Sequence, residues 1–236
     1  MIRLALRGVT RWYPGSSAPV LSNLDLEVHE HETLCVLGAS GAGKSTLVRL
    51  LADLDEPQGG AVDRGADGRR PALVPQSADL FPWLTVAENV GLGGRYAANA
   101  DHFRPARVTE LLDDLGIADL AGSVPAELSG GQAQRVALGR ALAVDPGVVL
   151  LDEPFSALDP AIRADLQVWL REVLTRVRTA AVLVTHDVDE ALTVADRIVY
   201  LDGTRGITAQ WRPQEDATTR DQVLAHYRTT SLEATA

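Results

Sequence analysis

The sequence contains very little cysteine and few aromatic residues. Of its 236 residues one is cysteine, and aromatic residues make up 5%. A single cysteine, Cys35, excludes a disulfide framework within the chain, which fits a reducing compartment such as the cytosol. Cys35 lies inside an apolar run, Thr33 to Leu37, so we expect its thiol to be buried in a strand.

Long hydrophobic runs are missing as well. No stretch approaches 18 uncharged apolar residues, which excludes a membrane-spanning helix, and Met1 to Gly8 lack the apolar core of a signal peptide. The net charge of −10 argues against binding nucleic acid through bulk electrostatics. Repeats and low-complexity tracts are absent, and 46% of the residues are hydrophobic. These features predict one globular unit with a sizeable core.

Lysine is the rarest charged residue. Lys44 is the only lysine among 22 basic residues, and the other 21 are arginine. It belongs to GASGAGKST, residues 38–46, which meets the G-x-x-x-x-G-K-[ST] pattern of a phosphate-binding loop. Codon usage explains the preference for arginine at the other 21 positions, but it does not explain why position 44 is lysine. A compact ammonium on a flexible stem suits contact with a γ-phosphate.

The surroundings of this pattern agree with a strand, a glycine loop and a helix. The apolar run before Gly38 predicts a strand buried on both faces, and apolar residues recur at helical spacing after Thr46. Glycines allow backbone N–H groups to turn toward phosphates, and the start of the helix adds its positive dipole end. Lys44 would reach the β- and γ-phosphates, and Ser45 would ligate Mg²⁺.

The remaining chain predicts an α/β fold in three parts. Apolar and polar residues alternate over 2–7 and again over 24–29, which predicts two half-buried antiparallel strands. Later apolar runs predict a mostly parallel sheet covered by helices. A helical pattern from about 85 to 144, opened by the capping pair Thr85 and Glu88, interrupts this core. We expect residues 59–70 to form a surface loop. The predicted division is a core of about 1–82 and 146–210, a helical insert of about 83–145 and a short tail, 211–236.

Asp159–Pro160 predicts the start of a further helix, with Asp159 as its N-cap. The apolar residues expected to be buried along it are Ile162, Leu166, Trp169, Leu170 and Val173.

Several polar residues follow predicted strands. Asp152 and Glu153 end the apolar run 148–151, which places Asp152 near Mg²⁺ and allows Glu153 to take a proton from an attacking water. His186 follows the run 181–185, and Gln76 follows 72–75. Each has an ordinary alternative as a surface or packing residue. The other four histidines are assigned to that class.

The segment LSGGQ, residues 128–132, has two compatible interpretations. Ser129 and Gln132 form a capping box at the start of a helix. Gly130 and Gly131 expose backbone amides at the same helix start, which is also an anion site.

Taken together, these motifs closely resemble those of the nucleotide-binding subunits of ABC transporters. GASGAGKST resembles the Walker A motif, residues 148–153 Walker B and LSGGQ the signature, while Gln76, residues 156–159 and His186 fit the Q-, D- and H-loops. The similarity covers roughly residues 1–205. Residues 80–90, 152–160 and 185–192 are most similar to importers of nitrate, taurine, sulfonates and thiamine precursors. The resemblance implies a P-loop NTPase core and ATP hydrolysis coupled to transport.

The resemblance also implies partners and site residues. Two subunits would stack head to tail, with each ATP held between Walker A of one and the signature of the other. Glu153, His186 and Gln76 are the expected catalytic residues, and Ser45, Gln76 and Asp152 the expected metal ligands. The expected nucleotide-binding residues are Tyr13 (with Trp12 as the rival for stacking on adenine), Gly38, Ser40, Gly41, Ala42, Gly43, Lys44, Ser45, Thr46, Ser129, Gly130, Gly131, Gln132 and Asp159, the last bridging the dimer.

The leading interpretation is the ATPase subunit of an importer for a small solute, such as an organic anion or vitamin precursor. It would sit at the cytoplasmic face of the cell membrane with permease subunits and, indirectly, a solute-binding protein. The alternatives are an ABC ATPase serving an exporter and a soluble ABC ATPase outside transport. An apolar cluster after Gln76, comprising Leu80, Phe81, Trp83 and Leu84, either plugs the insert into the core or receives the permease.

The sequence departs from the family in three places. His31 precedes the Walker A strand where Gly is common, Asp53 stands where Gly is frequent, and Gly139 replaces Ala within a helix. None of these is an expected catalytic position. Gly139 is expected to cost about 1 kcal/mol against Ala.

Overall fold

The structure, a computed structural model, describes residues 1–65, 69–215 and 220–233. Within them the strands are β1 (Ile2–Arg11), β2 (Leu21–His29), β3 (Thr33–Leu37), β4 (Gly59–Asp63), β5 (Ala72–Val74), β6 (Val148–Asp152), β7 (Ala180–Thr185), β8 (Arg197–Asp202) and β9 (Gly206–Trp211). The helices are α1 (Lys44–Leu51), α2 (Val86–Val90), α3 (Ala106–Asp114), α4 (Gly130–Leu142), α5 (Pro160–Val177), α6 (Val188–Val194) and α7 (Arg220–Glu233).

A six-stranded sheet carries the site. Its order is β5-β6-β7-β3-β8-β9. Strands β5, β6, β7, β3 and β8 pair in parallel, whereas β9 pairs antiparallel with β8 at the edge. All residues of β3 and β7 are buried, as expected for strands covered on both faces. The carboxyl ends of β3, β5, β6 and β7 therefore meet along one edge of the sheet.

A smaller antiparallel sheet has the order β2-β1-β4. The alternating pattern predicted β1 and β2, which pair antiparallel. The prediction of a surface loop over 59–70 is wrong at its start, because Gly59–Asp63 pairs with β1 as an edge strand. The strand has the sequence GGAVD, in which two glycines and an aspartate give little sign of a strand, and most of its side chains are exposed. Residues 66–68 of that predicted loop lie outside the described residues.

The predicted helical segment contains α2, α3 and α4, joined by short 3₁₀ turns. The capping box of Thr85 and Glu88 is present. Within this segment Leu111, Leu112 and Leu115 recur at helical spacing and are buried. The division into core, insert and tail stays a prediction.

Helix α5 begins at Pro160, as predicted, with Asp159 as its N-cap residue. Asp159 makes no side-chain capping hydrogen bond. Leu166, Leu170 and Val173 are buried, but the prediction for Ile162 is wrong, because 44% of this residue is exposed. Ile162 lies on the first turn of α5, which reaches past the core toward the start of α4; an ideal Cβ on Gly131 would be 3.5 Å from Ile162 Cγ2.

Candidate active site

The phosphate loop leaves β3 in a conformation that only glycine fits. An ideal Cβ on Gly38 would lie 2.6 Å from the carbonyl oxygen of Leu201, which is closer than real contacts allow. Gly43 has φ +90° and is the N-cap residue of α1, and Gly41 has φ +83°. Backbone N–H groups near the start of α1 therefore face outward without side chains in the way.

These residues line an open cleft of about 330 Å³. The lining contains loop residues and one carboxylate, namely Val20, Ser40, Gly41, Gly43, Lys44, Ser45, Thr46 and Glu153. The structure thus brings together most of the predicted phosphate-binding residues with Glu153. A second cleft, of about 370 Å³, contains none of the predicted site residues, and its Arg7 and Glu27 form an ion pair at 2.6 Å.

Lys44 is buried and folded back on the loop. Its Nζ donates to the carbonyl oxygens of Gly38 at 2.8 Å and Ala39 at 3.1 Å. Burial lowers the pKa of Lys44, while the charges of Glu153 and Asp152 act in the opposite direction. The two carboxylates therefore favour the ammonium form that binding a phosphate requires.

Asp152 and Glu153 stand where β6 ends. Burial, followed by the charge of Glu153, raises the pKa of Asp152, and Lys44 opposes the shift. Glu153 has φ +46°, unusual for a side chain with a Cβ. Its N–H donates to the carbonyl of Val184 on β7 at 2.9 Å. This bond fixes the turn that directs the Glu153 side chain into the cleft.

His186 and Gln76 both connect to Glu153. The Nδ1 atom of His186 lies 3.3 Å from Glu153 Oε2. Gln76 Nε2 donates to Ser156 Oγ at 3.0 Å, and Ser156 Oγ donates to the Glu153 carbonyl at 2.9 Å. The predicted catalytic residues thus form one chain of contacts. Sequence reasoning assigned no role to Ser156 beyond the D-loop, although its hydroxyl is the link.

The signature residues lie away from this chain's own cleft. Ser129 accepts from the N–H of Gln132, and the Gln132 side chain accepts from the N–H of Ser129, so the predicted capping box is present. Ser129 and Gly130 are exposed. An ideal Cβ on Gly130 would lie 3.0 Å from Leu158 Cδ2. The signature therefore sits beside the D-loop, whose Asp159 is exposed.

Tyr13 is held near α1 but does not line the cleft. Its hydroxyl lies 3.2 Å from Thr46 Oγ1 and donates to Asp55 Oδ2 at 3.3 Å, and the Arg11 guanidinium covers its ring at 5.1 Å. The neighbouring Trp12 is 41% exposed. Of the two rivals for stacking on adenine, Trp12 presents the freer ring.

The residues present fit Mg²⁺ bound mainly through phosphates. Within the described ranges, no group of three or more His, Cys, Asp or Glu side chains could hold a metal. Ser45 is exposed in the cleft, and the Glu153 carboxylate lines the same cleft. Mg²⁺ often takes only one or two protein ligands beside phosphate and water.

Comparison with known proteins agrees with this geometry. The sequence model of the family described as ABC transporter matches residues 21–156, which is more than half of the chain. The chain belongs to the ABC transporter family. The match confirms the predicted family. Together with sequence relatives and a solved structure of the same family, it confirms the ATPase activity and the fold class predicted from the motifs.

Its relatives include import proteins of several bacteria. The aliphatic sulfonates import ATP-binding protein SsuB 2 of Burkholderia lata is 46% identical over 187 residues, covering 77% of this chain and 67% of the relative. SsuB 3 of Paraburkholderia xenovorans is 42% identical over 213 residues, covering 90% and 82%. The sulfate/thiosulfate import ATP-binding protein CysA of Bradyrhizobium diazoefficiens is 43% identical over 201 residues, covering 80% and 58%. The predicted resemblance to importer-type subunits is confirmed.

A solved structure also resembles this ABC protein. It is the ATP-binding cassette MJ0796 in a dimeric post-hydrolysis state bound to ADP and Pi, with a TM-score of 0.71 and 29% identity, covering 89% of this chain and 98% of that chain. Across residues 1–65, 69–215 and 220–233, none of the helices combines the length and the hydrophobicity that a bilayer-spanning segment requires.

Proposed function

We propose that this chain is the ATP-hydrolysing subunit of an importer for a small organic sulfonate. The observation that carries the proposal is the chain of contacts from Gln76 through Ser156 and Glu153 to His186, beside the phosphate loop. The relatives of this protein include sulfonate import proteins. Sulfate and sulfonate relatives share an anionic solute class. Choice of the solute itself would fall to the partners.

In this proposal the chain's residues bind and orient ATP. The loop amides and Lys44 would hold the β- and γ-phosphates, while Ser45, Asp152 and Gln76 would hold Mg²⁺, which would supply charge neutralisation. Glu153 accepts a proton from the attacking water. His186, 3.3 Å from Glu153, holds that carboxylate in place.

The second half of the site comes from another copy of the chain. Support comes from the exposure of Ser129, Gly130 and Asp159 away from their own cleft, and from the dimeric state of the solved relative. In a head-to-tail pair, Ser129 and the glycine amides of one subunit would face the γ-phosphate held by the other. Asp159, beside the signature, would bridge the two subunits.

The membrane partner would dock next to Gln76. Trp83 is 73% exposed and meets Phe81 edge to face with 5.3 Å between ring centroids. Leu84 is buried instead, so the apolar cluster has one face in the core and one open to a partner. Permease subunits seated there would place this chain at the cytoplasmic face of the cell membrane, with the solute-binding protein acting through them.

Uptake measurements test the proposal. In cells lacking the gene, the unaltered chain should restore uptake of a radiolabelled alkanesulfonate, whereas Glu153→Gln should not. The purified variant should bind ATP but hydrolyse it at least about a hundredfold more slowly, because general-base help is lost.

Glu172→Gln, an exposed change on α5, is the matched control. Normal sulfonate uptake without the chain would refute the importer role while leaving the ATPase assignment intact. Near-normal turnover in Glu153→Gln would remove Glu153 from the role of base.

A further inference from the structure

Helix α7 contributes to the hydrophobic core. Helix α7 buries Val223 completely in the larger hydrophobic cluster. Arg220 at its start donates to Asp189 of α6 at 2.6 Å. Since α6 begins just after His186, α7 is tied to the element that follows the proposed catalytic histidine.

Aromatic packing then fixes one side chain of α7 in place. Tyr227 meets the fully buried Tyr200 of β8 edge to face, with 5.3 Å between ring centroids. The neighbouring His226 packs on Tyr200 at 5.0 Å and on Trp211 at 5.5 Å. With its ring held from β8, Tyr227 has little freedom to change rotamer.

The hydroxyl of Tyr227 reaches the phosphate loop. It donates to the Gly38 carbonyl oxygen at 3.4 Å, and the same oxygen accepts from Lys44 Nζ at 2.8 Å. Burial and, after it, the charge of Glu153 raise the pKa of Tyr227. The hydroxyl therefore keeps its proton at neutral pH and remains a donor.

Gly38 is therefore in close contact with two other elements, β8 and α7. The β8 backbone at Leu201 leaves no room for a Cβ on Gly38, and Tyr227 holds its carbonyl. Tyr200, which supports the Tyr227 ring, is the residue before Leu201. Both contacts therefore depend on the same stretch of β8 and on the docking of α7.

We infer that Tyr227 is a positioning residue for nucleotide binding: through the Gly38 carbonyl it sets the start of the phosphate loop and the place from which Lys44 reaches ATP. The C-terminal helix then makes ATP affinity depend on its own docking against the loop. The inference rests on the proposed role of the phosphate loop. Nothing in the family motifs points to position 227.

The test replaces Tyr227 by Phe, which keeps the ring and removes the hydroxyl. One net hydrogen bond corresponds to a change of about threefold to tenfold in an equilibrium constant. We expect the Kd for ATP of the purified full-length chain to rise by that factor, with KM rising and kcat within about twofold, since the contact serves binding rather than the chemical step. Tyr96→Phe, at a tyrosine that is 57% exposed, should leave all three values unchanged.

Two further readouts separate positioning from packing. The melting temperature without nucleotide should be nearly unchanged in Tyr227→Phe, while the upward shift caused by saturating ATP at fixed concentration should be smaller than in the unaltered chain. Amide hydrogen exchange in residues 38–46 should be faster in this variant than in Tyr96→Phe. Unchanged ATP affinity together with unchanged loop exchange would overturn the inference, as would a lower melting temperature with unaltered affinity. Failure of the unaltered chain to bind ATP would instead refute the proposed role of the loop.

Discussion

Glu190 is a buried acid whose protonation should govern the pH dependence of folding. Only 3% of the residue is exposed. Its Oε2 accepts from the Thr185 hydroxyl at 2.6 Å, and its Oε1 is buried without a hydrogen-bond partner. Burial raises the pKa of Glu190 from 4.5 to about 7, with Asp187 and Glu153 adding to the shift, and Thr185 and Arg163 opposing it.

The sign of the effect follows from which state binds the proton more tightly. Because the pKa of Glu190 is higher in the folded chain, the folded state holds more protons between about pH 4.5 and 7. Its contribution to stability is therefore full below pH 4.5 and is lost as the pH rises through 7. At 1.36 kcal/mol per pKa unit, the loss between pH 5 and 8 is about 2 to 3 kcal/mol.

Replacing Glu190 by Gln removes this titration while keeping the shape. The free energy of unfolding, measured by urea titration at pH 5, 6, 7 and 8, should fall less steeply with pH in Glu190→Gln than in the unaltered chain. The difference between the two should change by about 2 to 3 kcal/mol across that range. Other titrating groups cancel in this comparison. Glu172→Gln, an exposed change, should run parallel to the unaltered chain.

A parallel pH dependence in Glu190→Gln would refute the reasoning. A constant offset between the two curves has a different meaning. The Gln amide group would face the site where Oε1 has no partner, and an unpaired buried polar group costs about 1 to 3 kcal/mol at every pH. Only the slope therefore reports the titration of Glu190.

Two further predictions concern the proposed assembly. Mixing a Lys44→Ala chain with a Ser129→Arg chain should restore part of the ATPase activity that each variant lacks alone, because a head-to-tail heterodimer would contain one intact composite site. If mass spectrometry shows that the mixed dimer has formed and activity does not recover, the head-to-tail arrangement is contradicted. Trp83→Ala should weaken permease binding and uptake while the isolated chain keeps its melting temperature and basal ATPase activity, since Trp83 is 73% exposed. A fall of several degrees in the melting temperature, as expected for emptying a packed aromatic site, would place Trp83 in the core instead.

Local sequence patterns predicted the elements that carry the site. The strand before Gly38, the helix after Thr46 and the capping boxes at Thr85 and Ser129 are all present. Each depends on residues within a few positions of one another, so a short window contains the whole signal. The roles assigned to the site residues stay predictions.

Long-range packing explains most of what the sequence did not predict. Strand β4 forms because it pairs antiparallel with the edge of β1, whereas its own glycine-rich composition gives no indication of a strand. Ile162 sits on a helical stripe, but its turn of α5 lies at the rim of the core and leaves it 44% exposed. The Tyr227 contact joins residues 189 positions apart in the chain.

The departures from the family acquire a physical meaning in the structure. His31 and Asp53 stand where glycine is common, and both adopt left-handed backbone, with φ of +62° each. This conformation costs a residue with a Cβ more than it costs glycine. Asp53 also forms an ion pair with Arg64 at 2.9 Å.

Gly139 shows why propensity alone misjudges a buried position. Helix propensity predicts that alanine would be better by about 1 kcal/mol. However, an ideal Cβ at 139 would lie 2.8 Å from Leu115 Cδ1 and 3.1 Å from Val90 Cγ2, and forcing an extra carbon into a packed core costs about 1 to 3 kcal/mol. The close approach of α4 to these two buried side chains therefore opposes the gain from propensity. A glycine that a local rule treats as a weakness is the residue that lets α4 pack this closely, with the signature at its first turn.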